Sequence, residues 1–369
     1  MCRTLQAVGV EVLLATTDAD MDVGLKPRLG RITTYKDVPL IVFEKQWGAS
    51  FKYSRSFARW LIDNVSRYDV VHIHAVFNHA CLAAARACRK RNIPYIVRPL
   101  GTLVPWSMNQ KPIRKSLFWH VVGRRMLSNA ATVHYTALAE QQATETSLCL
   151  NHGTVMPLGV DTDSLNVKDT QSSVSEIPRL AGHPYVLILS RLHPKKGLDI
   201  FLQAFLSVVD RPEFAAWRLV LAGDGPTEYV ELLREKISSH KAKESVLFSG
   251  WLEGDLKINV LRHAALLALP SHHENFGLCV MEALACGVPV LVSPHVNLAA
   301  AVSQAGAGWI VPVQKEPIEL ALIDAFSRSA ERDKRGKSGR DLSLQFSWKH
   351  IGEGLLKMYS SVSNGVRSM

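Results

Sequence analysis

The chain has 369 residues, 47% hydrophobic and 21% charged, with 23 Gly and 17 Pro. At roughly 100–200 residues per domain this predicts two or three domains with a sizeable core each, and it excludes a disordered chain, a collagen-like repeat and a disulfide miniprotein. The formal net charge is +10, and residues 45–125 hold 15 Lys and Arg against Asp63 and Asp69 alone.

The first 165 residues carry 20 Lys and Arg against 12 Asp and Glu, and the rest 23 against 21. One subdomain is therefore strongly cationic. It suits nucleic acid, an anionic membrane surface or a phosphorylated substrate. No apolar run reaches the roughly 18 residues of a membrane span, and the first ten residues hold no apolar signal segment. Six cysteines show no CxxC spacing and are expected as buried, reduced thiols.

In chain order, residues 1–8 read as the last turns of a helix, and Glu11–Thr17 as a strand. Further strands are predicted at Val38–Glu44, Val70–Ala75, Tyr95–Pro99 and Thr132–Thr136. Helical patterns lie between them at Ser54–Arg67 and Asn78–Arg91. In the latter, Cys81, Ala84, Ala85 and Cys88 fall on one helical stripe, with Arg86, Arg89 and Lys90 off it. Alternation of strands and helices predicts a parallel sheet covered on both faces. Val167–Leu180 is polar and serine-rich and reads as a linker. The alternation then restarts, with strands at Tyr185–Leu189, Arg218–Ala222, Val246–Phe248, Leu266–Leu269, Val288–Val292 and Trp309–Val313. A helix from Trp348 to Ser360 closes the chain.

The fold class is α/β: two Rossmann-like, doubly wound domains facing a cleft. Residues 1–165 form the first, with a C-terminal helix at 346–369 packing back on it. Residues 166–345 form the second. Ligands belong at the C-terminal ends of the strands.

Chemistry-bearing motifs concentrate in the second half. Glu274-Asn-Phe276-Gly277-Leu278 follows a strand and opens a helix that contains Glu282 and stops at Gly287. Helix periodicity puts Val280, Met281 and Leu284 on the core stripe and Glu282 off it. Two carboxylates so placed suit sugar hydroxyls, and the helix start suits an anion. Equally, they suit a dipole-complementing acid and an exposed Glu. Arg191 to Gly197, a basic loop containing Lys195 and Lys196, joins another strand end to a helix start and suits phosphate. Gly223-Asp-Gly225-Pro226 is a tight turn, and Gly250-Trp251-Leu252 ends the next strand, where it suits a nucleobase. No GxGxxG follows any strand, so the dinucleotide fingerprint is absent.

The set SRLHPKKG, LAGDGP, FSGWL, PSHHENFGLCVMEALACGVPV and FSWKH resembles the retaining GT-B glycosyltransferases of family four, the group 1 glycosyltransferases. Order and spacing match over about 185–295, and the chain from residue 7 onward is compatible. The resemblance implies that Arg191 and Lys196 neutralise the diphosphate leaving group. It implies that Glu282 holds the ribose and Glu274 the donor sugar. The backbone of Phe276, Gly277 and Leu278 would lie along sugar and phosphates, and Gly250, Trp251 and Leu252 would meet the base, with Gly223 in the turn beside them. No metal or other cofactor is implied, because fixed cations and a helix dipole supply the field. Asp18-Ala-Asp20 and Asp161-Thr-Asp163 are therefore read as lookalikes of a metal motif.

In the first half, DVVHIHAVFN resembles the family segment that ends in a cleft histidine, which places His74 at the site. IPYIVRPLGTLVPW resembles the segment that carries a cleft His or Arg, but that position is Leu100 here, with Arg98 two residues earlier. Leu100 cannot hydrogen-bond a sugar, so the role is unfilled or passes to Arg98 or His74.

The expected function is transfer of a sugar from a nucleotide diphosphate sugar to a hydroxyl acceptor, with retention, in polysaccharide or glycolipid assembly. A two-carboxylate hydrolase is weaker, since glycosidase carboxylates must flank the bond. The alternative from another class is a non-catalytic nucleotide-sugar-binding partner subunit, favoured by Leu100 and by the short start. Lys111, Arg114, Lys115, Arg124 and Arg125, with Trp106 and Trp119, suit an anionic or lipid-linked acceptor at a membrane surface. Nucleic acid is not expected, as no base-reading motif is present. The location expected is cytoplasmic, peripheral at the inner membrane face. A doubly wound domain places its first strand centrally, so a gap is expected between Glu11–Thr17 and Val70–Ala75. The missing half-unit would be about 20–30 residues.

Overall fold

The computed structural model describes residues 1–19, 21, 29–48, 50–110, 112–165, 180 and 182–367. Asp20, Lys111 and the linker up to residue 179 lie outside these residues, as does the side chain of Asp163. The chain divides into two compact units, Met1–Pro157 with Trp348–Met369, and Leu158–Ser347.

Among the described residues the first unit holds seven strands: β1 (Leu14–Thr17), β2 (Ile32–Tyr35), β3 (Val38–Phe43), β4 (Val71–His74), β5 (Tyr95–Arg98), β6 (Thr132–Tyr135) and β7 (Gly153–Val155). They form two sheets, β1-β3-β2 and β4-β5-β6-β7, and no pairing joins β1 to β4 among the described residues. The expectation of purely parallel strands is corrected at β2, which runs antiparallel to β3. Their connection is Lys36-Asp37, both at positive φ (47° and 65°), a mirror-type hairpin turn. Neither residue is Gly or Asn, so the turn carried no sequence signal. At three residues, β7 is too short to show periodicity.

Helix His79–Arg91 packs the predicted stripe inward: Cys81, Ala84, Ala85 and Cys88 are buried with Ile73 and Val97. Asn78 Oδ1 accepts the Cys81 N–H at 3.0 Å and so caps its start. Burial raises the Cys81 and Cys88 thiols to about 12. Cys286 is buried too, but Cys2 and Cys279 are half-buried and Cys149 is exposed, which corrects the expectation for those three. Helix Trp348–Arg367 belongs to this unit: Ile351, Leu355, Met358 and Tyr359 pack with Ile96 of β5 and with Leu5 of the short helix Cys2–Ala7.

Among the described residues the second unit has six parallel strands: β8 (Tyr185–Leu189), β9 (Arg218–Ala222), β10 (Val246–Gly250), β11 (Leu266–Leu269), β12 (Val290–Val292) and β13 (Gly308–Ile310), in the order β10-β9-β8-β11-β12-β13. Alternate residues of β8 and β11 enter two different cores. Leu187, Leu267 and Leu269 line one, and Val186, Ile188, Leu266 and Ala268 the other. That is why these strands read as continuous apolar runs. Strand order reverses between β8 and β11, which opens a crevice at their C-terminal ends.

Candidate active site

Every motif singled out in the second half lies at that C-terminal edge of the sheet. The loops are tied to one another through backbone. The Ser190 N–H donates to Ala222 O at 3.1 Å, and Leu192 N–H to Asp224 O at 2.8 Å. Gly223 N–H donates to Gly250 O at 2.8 Å, and His272 N–H to Lys195 O at 2.9 Å. The loops after β8, β9, β10 and β11 thus form one platform. Gly223 is required there by close approach, since a Cβ would stand 2.0 Å from Ser190 O. At Gly197 (φ 65°) a Cβ would meet Pro270 O at 2.3 Å, so the basic loop is pressed against the end of β11.

His193 caps a short turn over Pro194–Lys196, its Nδ1 accepting the Lys195 N–H at 3.1 Å. The turn aims Lys196 at Glu274, with which it forms an ion pair. Arg191 is exposed. Burial lowers the Lys195 pKa below the ordinary lysine value; Glu274 opposes the shift, and Lys196 and Arg191 add to it.

Glu274 is held by its backbone as well. Its N–H donates to His295 O at 3.0 Å and its carbonyl accepts the Asn297 N–H at 3.1 Å. Gly277 (φ 82°) then opens helix Leu278–Ala285, where the Val280 N–H donates to Gly277 O at 2.9 Å and the two amides before it have no acceptor one turn back within the helix. Val280, Met281 and Leu284 are buried, as the helical count predicted, and Glu282 is turned away from them. It meets Lys257 of helix Gly254–Arg262 at 2.8 Å. Cys279 senses Lys196, Glu274, Glu282 and Lys257 together, so the two ion pairs share one neighbourhood. Its own thiol is raised to about 12, chiefly by burial. Lys257 was not singled out in the sequence; in isolation it is one more surface lysine on an amphipathic helix.

The side chains along these two segments divide. Phe276 is buried against the core near Phe346, and Leu252 is buried in the same cluster, so neither side chain can face a ligand. Trp251, by contrast, is 64% exposed, and Leu278 is 46% exposed. Gly250 (φ 70°) has open space where a Cβ would be.

In the first unit His74 ends β4, in register with Arg98 of β5. His74 is itself exposed at the strand end, with the protein close about it. The loss of hydration this brings, with Arg98 next, lowers its pKa to about 4. Arg98 is buried, and its Nε has no partner among the described residues. Leu100 is 41% exposed and stands at φ 58°. Beside it Gly101 N–H donates to Glu140, which also accepts from Thr136 N–H and Oγ1–H, both at 2.8 Å.

Behind His74 runs a chain of neutral hydrogen bonds. His134 Nε2 lies 2.7 Å from Met156 O, so it carries the proton. His134 Nδ1 then accepts from His72 Nε2 at 3.1 Å, and His72 Nδ1 accepts from the Tyr359 hydroxyl at 2.7 Å. Burial lowers both histidines, His134 to about 3. Of the metal-motif lookalikes, Asp18 Oδ1 accepts the Lys45 N–H at 2.6 Å and Asp161 Oδ1 accepts the Ser164 N–H at 3.2 Å. Among the described residues no helix is long and apolar enough to cross a membrane.

Comparison with known proteins adds to this geometry. Residues 170–342 match the family model of glycosyl transferases group 1, and residues 1–159 that of the glycosyl transferase 4-like domain. A D-inositol 3-phosphate glycosyltransferase of Nocardia farcinica is 29% identical over 212 residues, 56% of this chain and 47% of the relative. The chain thus spans about half the length of that relative. A phosphatidyl-myo-inositol mannosyltransferase of Mycobacterium leprae is 25% identical over 315 residues, 83% of this chain and 76% of the relative. Among solved structures, sucrose-phosphate synthase of Thermosynechococcus elongatus superposes with a TM-score of 0.78 at 20% identity, covering 99% of this chain and 92% of that one. HepE of Anabaena, in complex with UDP-glucose, does so with a TM-score of 0.70 at 20% identity, covering 88% and 86%. These superpositions establish a GT-B type of α/β fold. With both family models in series along it, the chain carries a glycosyl transferase 4-like domain followed by a glycosyl transferases group 1 domain.

Proposed function

We propose that the chain moves a sugar from a nucleotide diphosphate sugar to a hydroxyl of an anionic, lipid-linked saccharide acceptor, with retention and without a metal. Residues 166–345 take the donor and residues 1–165 the acceptor. The observation that carries this reading is the pairing of Lys196 with Glu274 and Lys257 with Glu282 around one helix start, at the crevice where the strand order reverses. The solved relative HepE binds UDP-glucose in the same fold.

In this reading Glu282 accepts from the ribose hydroxyls, and Trp251, with the Gly250 backbone, lies on the base. Glu274 accepts from donor-sugar hydroxyls. As the glycosidic bond breaks, negative charge grows on the diphosphate. Arg191, Lys196 and the amides that open helix Leu278–Ala285 stabilise it. They are in place before the bond breaks, so little reorganisation is needed. The acceptor hydroxyl attacks the oxocarbenium-like carbon from the face the diphosphate leaves. The departing diphosphate oxygen takes its proton, and the anomeric configuration is kept. His74, held neutral at pH 7, is the acceptor-side hydrogen-bonding group. The cationic first unit draws the anionic acceptor, and places the chain at the cytoplasmic face of a membrane.

The test is transfer from a panel of nucleotide diphosphate sugars to a lipid-linked acceptor fraction, with the anomeric configuration of the product read by NMR. A product of unchanged configuration is expected, with turnover reduced at least tenfold in Lys196→Ala. Donor binding with neither transfer nor hydrolysis supports the non-catalytic partner subunit instead, and an inverted product overturns the chemistry.

A further inference from the structure

A helical stretch after β5 has no part in donor handling. Pro112–Phe118 is α-helical, Trp119–Gly123 forms a π-helical turn, and Arg124–Ser128 continues as α-helix. Its inner face satisfies the core: Trp119, Met126 and Leu127 are buried there, and Phe118 packs on the same cluster. Trp119 is therefore not the surface aromatic that the sequence led one to expect. The outer face of such a helix is ordinarily polar. Here it presents Ile113, Leu117 and Val121, exposed by 84, 65 and 66%. Four-residue spacing sets the three side chains in one row. Scattered exposed aliphatics need no explanation, whereas an aligned row does.

The charge beside the row is of one sign. Arg114, Arg124 and Arg125 are exposed along it. From residue 70 to residue 139 the sequence holds ten Lys and Arg and no Asp or Glu. A second copy of this chain would bring like charges together, so charge argues against self-association. An acidic polar surface would answer the arginines but not the aliphatic row. An anionic bilayer answers both, since it offers phosphates at the headgroups and an apolar layer just beneath.

We propose that this outer face docks on an anionic lipid bilayer. Ile113, Leu117 and Val121 enter the headgroup–acyl boundary, and Arg114, Arg124 and Arg125 meet the lipid phosphates. The inference deepens the acceptor reading and rests on it for its purpose, because a docked first unit meets a lipid-linked acceptor without leaving the surface. The docking itself requires no sugar transfer.

Flotation of the full chain with vesicles tests it, using phosphatidylcholine alone and phosphatidylcholine with about a third phosphatidylglycerol, at about 0.05 M and about 0.5 M salt. Binding is expected to the anionic vesicles only, and to weaken at the higher salt. The triple variant Ile113→Gln, Leu117→Gln, Val121→Gln should lose at least about tenfold in partitioning. So should Arg114→Gln, Arg124→Gln, Arg125→Gln. Circular dichroism and nucleotide binding should stay at wild-type levels in both, which separates lost docking from lost folding. Absence of vesicle binding overturns the proposal. So does equal binding of the aliphatic triple variant, and so does a wild-type dimer that this variant abolishes. A chain that floats but transfers no sugar contradicts the transferase reading and leaves the docking intact. One that transfers sugar to a soluble acceptor but does not float does the reverse.

Discussion

At the scale of single residues, the two ion pairs make different demands. Glu282 is only about a quarter exposed, and Lys257 fixes its rotamer from a neighbouring helix. A ribose is better held by a carboxylate already oriented than by one that must be ordered on binding. Lys257→Met is expected to weaken nucleotide affinity by about threefold to tenfold with turnover at saturation unchanged, and Lys257→Arg to restore most of it. Isothermal titration with kcat and KM measured separately checks this. An unchanged affinity in Lys257→Met would make the pair a mere surface contact. Arg191, Lys196 and Glu274 stood out in the sequence because each lies between a strand end and a helix start, where polar residues interrupt an apolar run, and Glu282 because it falls off the core stripe of its helix. Lys257 was not, because its meaning depends on a partner 25 residues away. Nor could the sequence tell which side chains of Gly250–Leu252 and Phe276–Leu278 point inward: Leu252 and Phe276 are core, while Trp251 and Leu278 are exposed.

At the scale of elements, the strand ends are where the backbone departs from its preferred regions. Ala75, directly after β4, stands at φ 81°, and Leu100, just after β5, at φ 58°. Side chains with a Cβ pay about 1–2 kcal/mol in that region, against part of which a glycine sets its larger unfolded-state entropy. Ala75→Gly and Leu100→Gly are each expected to stabilise the chain by up to about 1 kcal/mol, read as a shift of the urea midpoint. Gly223→Ala should act in the other direction and cost about 2 kcal/mol or more, because its Cβ would collide with the Ser190 carbonyl that ties two loops together. A wild-type midpoint for Gly223→Ala would mean that the loop platform is soft. Element order in the second unit was legible throughout, since fully buried parallel strands are unbroken apolar runs. In the first unit the hairpin β2–β3 was hidden by a turn of Lys and Asp. The lack of pairing between β1 and β4 among the described residues was expected from the strand order of a doubly wound domain.

At the scale of the whole molecule, stability should depend on pH through the first unit. The relay from Tyr359 through His72 and His134 to the Met156 carbonyl needs both imidazoles neutral, because each acceptor nitrogen in it would be lost on protonation. Their folded pKa values lie below the unfolded value of 6.5. The unfolded chain therefore binds more protons, and the stability present above pH 6.5 is lost as pH falls through the range toward about 3. At pH 4.5 the loss from His134 alone is on the order of 2 kcal/mol. Urea titrations between pH 7 and pH 4.5 check the sign, and His134→Gln should flatten the profile. The uneven charge, with the cationic excess in the first unit, was legible from composition. Its apolar companion row was not, because the core residues of the same helix mask the row in the sequence. The central claim is that the second unit holds a nucleotide diphosphate at Lys196 and Glu282. Equilibrium binding of nucleoside diphosphates to the full chain tests it most directly. Binding of at least one of them should weaken about tenfold or more in both Lys196→Ala and Glu282→Ala, whereas equal affinity in the wild type and both variants would contradict the site.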